Sequence, residues 1–101
     1  MPYRVIFSEE LRARLRAWSP VARQHGVAKA YLDALKYVEE GLSKDPLAWG
    51  DPLYRLRQLG LLMCRGFCWA FVVSYGVDEE RQLVFVQDFK PMSGYPFAPE
   101  E

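Results

Sequence analysis

The chain opens on Tyr3-Arg4-Val5-Ile6-Phe7, a short run dense in β-branched and aromatic residues, and then changes period. Such a run predicts a strand. Ser8 follows with Glu9 and Glu10 behind it, which predicts a helix capped by the Ser8 hydroxyl with two carboxylates at the positive end of its dipole. Leu11, Leu15 and Trp18 fall at i, i+4 and i+7 and form one apolar stripe, while Arg12 and Arg16 share another face. Ser19-Pro20 is expected to break or re-cap this helix, because proline is tolerated in a first turn and poorly inside. A second helix is expected to start loosely at Pro20 and to be interrupted near His25-Gly26. Its main body carries Val27, Tyr31, Leu35, Val38 and Leu42 on one stripe and ends at Lys44-Asp45-Pro46.

Residues 43–53 hold two Asp-Pro pairs around Trp49-Gly50 and read as a surface connection. After it the pattern is that of a sheet. Tyr54 to Arg65 reads as an extended segment with a candidate bulge at Gly60, Arg65-Gly66 as a tight turn, and Phe67 to Tyr75 as a strand. Asp78-Glu79-Glu80-Arg81 is the next hairpin loop and Leu83 to Phe89 the last strand. The expected order is β-α-α-β-β-β, an α+β class with two N-terminal helices packed on an antiparallel sheet. Residues 1–90 are expected to form one domain and residues 91–101 a proline-rich tail lying as an irregular strap.

Composition narrows the function classes. At 101 residues, 50% apolar and 15% aromatic, the chain is expected to build a single core rather than remain disordered. The longest apolar run, Phe67 to Val73, is far short of the roughly 18 to 20 residues that span a bilayer. Charges interrupt every candidate signal-peptide core, so a cytoplasmic location and no membrane partner are expected. Net charge is zero, but residues 1–66 carry eleven Lys and Arg against seven Asp and Glu, and residues 67–101 carry two against six. The basic part reads either as a surface for a polyanion or acidic partner, or as ordinary solvated charge on helix faces. Cys64 and Cys68, four apart on one strand, would lie roughly 13 Å apart, too far for a disulfide. With His25 the only histidine, a zinc site has too few ligands, and no metal or other cofactor is expected.

The opening Tyr-Arg-Val-Ile-Phe-Ser-Glu-Glu, the paired helices, the Asp-Pro loop leading to Pro52-Leu53 and the final Val-Phe-Val strand together resemble the RelE/ParE superfamily of bacterial toxins from type II toxin–antitoxin systems. The resemblance covers residues 3–90. It implies a microbial-type RNase fold with a curved antiparallel sheet, a cognate antitoxin as partner, and a role in growth arrest. RelE-like and HigB-like members cleave messenger RNA on the ribosome without a metal, whereas ParE-like members inhibit DNA gyrase. Fold alone does not choose between these.

RNA cleavage through the ribose 2′-hydroxyl needs a base, fixed cations around the crowded phosphate, and an acid for the leaving oxygen. Tyr54-Arg55-Leu56-Arg57 looks like the family's basic strand segment, with Arg55 and Arg57 expected on one sheet face. Asp88-Phe89-Lys90 falls where HigB-like members end in an acid, an aromatic and a histidine. The resemblance therefore makes Arg57, Arg65 and Lys90 the candidate catalytic residues, and Arg55, Arg57, Arg12 and Arg16 the candidate RNA contacts. With Arg65-Gly66 taken as the turn, Trp69 stands about where the family has a strand arginine, which favours a non-catalytic binding protein as the alternative. An unrelated α+β domain that dimerises through its sheet is a third reading. Both alternating faces of Leu59 to Val73 are apolar, so the sheet is expected to be covered on both sides, by the helices on one and by the tail, an antitoxin or a second copy on the other.

Overall fold

In a computed structural model, which describes residues 2–98, the elements run β1 (Arg4–Phe7), α1 (Glu9–Gln24), α2 (Ala28–Lys44), α3 (Pro46–Trp49), β2 (Asp51–Leu56), β3 (Leu61–Cys68), β4 (Phe71–Asp78) and β5 (Leu83–Pro91). The α+β class holds, with the helices on one face of a single sheet. That sheet has five strands in the order β1-β5-β4-β3-β2. Strands β2 to β5 are antiparallel neighbours, and β1 lies parallel to the first half of β5, from Arg4 opposite Leu83 to Phe7 opposite Val86. The sheet is therefore mixed and one strand larger than the sequence pattern indicated.

Ser8 caps α1 by accepting the Leu11 N–H at 3.1 Å. The helix does not stop at Ser19-Pro20, as the sequence suggested, but continues through Pro20 to Gln24. Proline disturbs the helical turn before it by lacking an N–H and crowding the backbone. In that turn the Leu15 carbonyl accepts a hydrogen bond from Tyr31 Oη, reaching over from α2 at 2.5 Å. The helix ends in a glycine cap. Gly26 takes φ 72°, its N–H donates to Arg23, and the Val27 N–H donates to Ala22.

Helix α2 buries Tyr31, Val38 and Leu42 as the stripe anticipated, with Ala34 beside them. The connection after it is not a simple surface loop. Asp45 caps the four-residue α3, Pro46 is buried, and the Pro46 carbonyl accepts from Tyr75 Oη at 2.6 Å. Trp49 is wedged between Gly41 of α2 and Gly66 of β3, on both of which a Cβ would collide with its ring.

This wedge explains why the hairpins differ from the sequence reading. Arg65-Gly66 is not a turn: both residues are mid-strand in β3, where Arg65 opposes Ser74 and Gly66 opposes Val73. The segment from Tyr54 to Arg65 is not one extended run either. It folds back at Arg57–Gly60, with Gly60 at φ 66°, and the register shift lies between Pro52 and Tyr54 rather than at Gly60. The next turn is at Trp69-Ala70, where Trp69 adopts φ 52°, a conformation normally left to Gly or Asn. Its indole is held edge-on against Tyr95 and Phe97, both at 5.7 Å between ring centroids.

Phe71, Val73, Tyr75 and Val77 of β4, with Val84, Val86 and Phe89 of β5, form the sheet side of the core. The tail also joins this side. Phe97 is buried against Trp18, Tyr31 and Phe71, so the described part of the tail, residues 92–98, closes the end of the helix layer and does not cover the second sheet face. Burial pushes the Tyr31 phenol from 10.0 up to about 12 and raises Tyr75 in the same direction. The unfolded chain releases these protons near pH 10 while the fold retains them, so the contribution of these two phenols is level below about pH 10 and falls as pH rises toward 12. Thermal melts between pH 7 and 11 should show this loss. Tyr31→Phe should cost about 1 kcal/mol at pH 7, through the Leu15 hydrogen bond, and lessen the alkaline decline.

Candidate functional site

Helices cover one face of the sheet, and the chain's described residues leave the other uncovered. Strand register fixes what stands there, because residues directly opposite share a face and alternate ones point away. Three of the rows that cross it carry or border the candidate residues. The first runs Tyr54, Met63, Gly76, Phe85 and Ile6. The second runs Asp51, Arg65, Ser74 and Asp88, and the third Phe67, Val72 and Lys90. The floor is apolar in its first row, where Met63 is buried because Gly76 opposite leaves room for its thioether. Toward the third row it becomes a rim of exposed groups.

Phe67 is 62% exposed and Tyr54 56%, although both are aromatic and both stand on this face. Arg65 and Lys90 are exposed on the same face, two strands and one row apart, or about 12 Å between Cα atoms. Neither makes a salt bridge among the described residues. Asp51, opposite Arg65 on β2, forms no salt bridge with it, and Asp88, the carboxylate of this face nearest Lys90, is turned to the open edge of β5, where it pairs with Arg14 of α1. That edge is free because β1 pairs with β5 only as far as Val86.

The other candidate residues lie elsewhere. Arg57 is in the β2–β3 turn, about 16 Å along the strand from the Arg65 row. Arg55 does not share a face with Arg65, and its guanidinium pairs with Glu79 at 3.2 Å. With Asp78, Glu80 and Arg81 these two arginines line an open cleft of about 670 Å3 between two hairpin tips, where opposite charges offset one another. Arg12 and Arg16 border a different groove, floored by Val5, Phe7, Leu15 and Leu35 on the helix side of the sheet. The structure thus brings Arg65 and Lys90 together and separates both from Arg57, Arg55, Arg12 and Arg16.

Sequence reasoning did not single out Phe67 and Ser74 as members of this face, or Arg14 as the partner of Asp88. The first two were legible in principle, since Met63, Arg65 and Phe67 alternate with Cys64 and Gly66 once Trp69-Ala70 is taken as the turn. Nothing distinguishes Arg14 from its neighbours Arg12 and Arg16 in the sequence. The two thiols are unpaired, and burial raises both, which disfavours the thiolate. Among the described residues no group of three His, Cys, Asp or Glu could hold a metal ion, and no helix is long and apolar enough to cross a membrane.

No protein-family model and no curated protein matches the sequence. Solved structures do. A chain of the toxin–antitoxin complex RelBE2 from Mycobacterium tuberculosis superposes with a TM-score of 0.65 at 22% identity, over 90% of this chain and 99% of that one. The fold is RelE-like. At that identity the likeness establishes the architecture alone, helices packed on one face of a single sheet.

Proposed function

We propose that this chain is the toxin of a toxin–antitoxin module and that it binds and cleaves messenger RNA on the uncovered sheet face. The observation that carries the reading is the grouping of two cations without salt-bridge partners among the described residues, Arg65 and Lys90, with the exposed ring of Phe67. Single-stranded nucleic acid is bound by this chemistry: aromatic faces stack on bases and cations follow the phosphates. A guanidinium suits two phosphate oxygens at once, and an ammonium acts as a point charge. During cleavage Arg65 stabilises the charge that builds on the phosphate, and Lys90 that on an adjoining oxygen. The likeness to a toxin–antitoxin complex supports an antitoxin as the partner, and the family resemblance supports the ribosome as the place of action.

Induction in a bacterial host tests the reading. The wild type should arrest growth, and co-expression of an adjacent antitoxin gene should restore it. Arg57→Ala should arrest growth as the wild type does, since Arg57 stands at a hairpin tip away from the face. Arrest with intact messenger RNA and a DNA-damage response would point to gyrase and sink the RNA reading.

A further inference from the structure

Asp88 stands in the same row as Arg65, separated only by the small side chain of Ser74, and two residues before Lys90 on the same strand face. An aspartate so placed has two cations within reach, and opposite charges on neighbouring strand positions attract. Its carboxylate nevertheless pairs with neither. It is held by Arg14, whose guanidinium bonds Asp88 Oδ1, donates to the Phe89 carbonyl at 3.3 Å, and lies over the Trp18 ring at 5.4 Å from its centre. Trp18 is in turn stacked on the core ring of Phe71, so the guanidinium is fixed from three sides.

We infer that Arg14 is a positioning residue that withholds Asp88 from Arg65 and Lys90 and so keeps both cations available to phosphate. This inference rests on the proposed RNA-binding role of the face. Removing Arg14 alone frees an internal carboxylate that competes with phosphate for the same two cations. Removing Arg14 and the Asp88 charge together removes that competitor and leaves Asp51, opposite Arg65, as it stands in the wild type. The two substitutions are therefore strongly non-additive in binding, although both disturb the same corner of the fold.

The test uses the full chain, a fluorescent oligouridylate of about ten nucleotides, and four variants: Arg14→Met, Arg14→Lys, Asp88→Asn and the Arg14→Met/Asp88→Asn pair. Arg14→Met should weaken binding about five- to tenfold and flatten its salt dependence, because one phosphate contact is lost. The pair should bind within about twofold of wild type, and so should Asp88→Asn and Arg14→Lys. Thermal melts report the fold separately. A crystal structure of Arg14→Met provides a readout that needs no RNA: the Asp88 carboxylate should lie at salt-bridge distance from Arg65 or Lys90. An Asp88 that stays clear of both cations, or a pair as weak as Arg14→Met alone, overturns the inference. A wild type that does not bind the oligonucleotide overturns the functional reading instead, and the Asp88 position still decides the role of Arg14.

Discussion

Gly66→Ala is expected to cost about 3 kcal/mol of stability, near the upper end for overpacking a core by a single methyl. For a domain of this size that is a fall of about 12 to 24 °C in the midpoint of thermal unfolding. The cause is steric. A Cβ on Gly66 would lie 2.3 Å from Trp49 Cζ3 and 2.7 Å from Cε3, and the ring cannot retreat because the opposite side faces Gly41, where a Cβ would lie 2.2 Å from Trp49 Cδ1. Trp49 is further confined by Tyr75 at 5.9 Å between centroids, whose hydroxyl holds Pro46. A double-mutant cycle with Trp49→Ala checks the explanation. The added methyl should cost far less once the indole is gone, whereas an equal cost in both backgrounds would place the strain in the β3 backbone.

Arg65→Ala is expected to have the largest effect on activity, a loss of about 100- to 1000-fold in RNA cleavage, the range seen when a donor to developing charge is removed. Arg65 is exposed on a regular strand and packs against nothing in the core, so unfolding temperature should change little. Lys90→Ala should lose less, because an ammonium offers a single-point contact where a guanidinium offers two. Single-turnover cleavage assays on programmed ribosomes, with melts run in parallel, separate these effects from loss of fold.

Local signals in the sequence identified the first strand, the Ser8 cap, the α2 stripe, the Asp78–Arg81 loop and the last strand, because each depends on chemistry within one or two turns of chain. The hairpins were misplaced where a distant residue overrides the local signal. Arg65-Gly66 has the composition of a turn, but its glycine is present to admit Trp49 from another element. Trp69 turns the chain in a left-handed conformation that no propensity assigns to tryptophan, secured by the tail rings of Tyr95 and Phe97. Pro20 has the composition of a helix end, yet α1 runs on through it to Gln24. The parallel placement of β1 beside β5 joins segments about eighty residues apart and leaves no local trace.

These corrections bear on the site. With the turn moved to Trp69-Ala70, Arg65 leaves the mouth of a loop and becomes a strand residue on the uncovered face, while Trp69 no longer occupies a strand position there. Net neutrality says little about the face, since Asp88 is engaged by Arg14 at its edge. What governs phosphate binding is the local arrangement of charge.

The most direct test of the account is a transcriptome-wide map of messenger RNA 5′ ends shortly after induction, comparing wild type with Arg65→Ala. New 5′ ends within translated codons are expected in the wild type, and their disappearance in Arg65→Ala at equal protein level. Unchanged 5′ ends in growth-arrested wild-type cells, or the same new ends in Arg65→Ala, would contradict it.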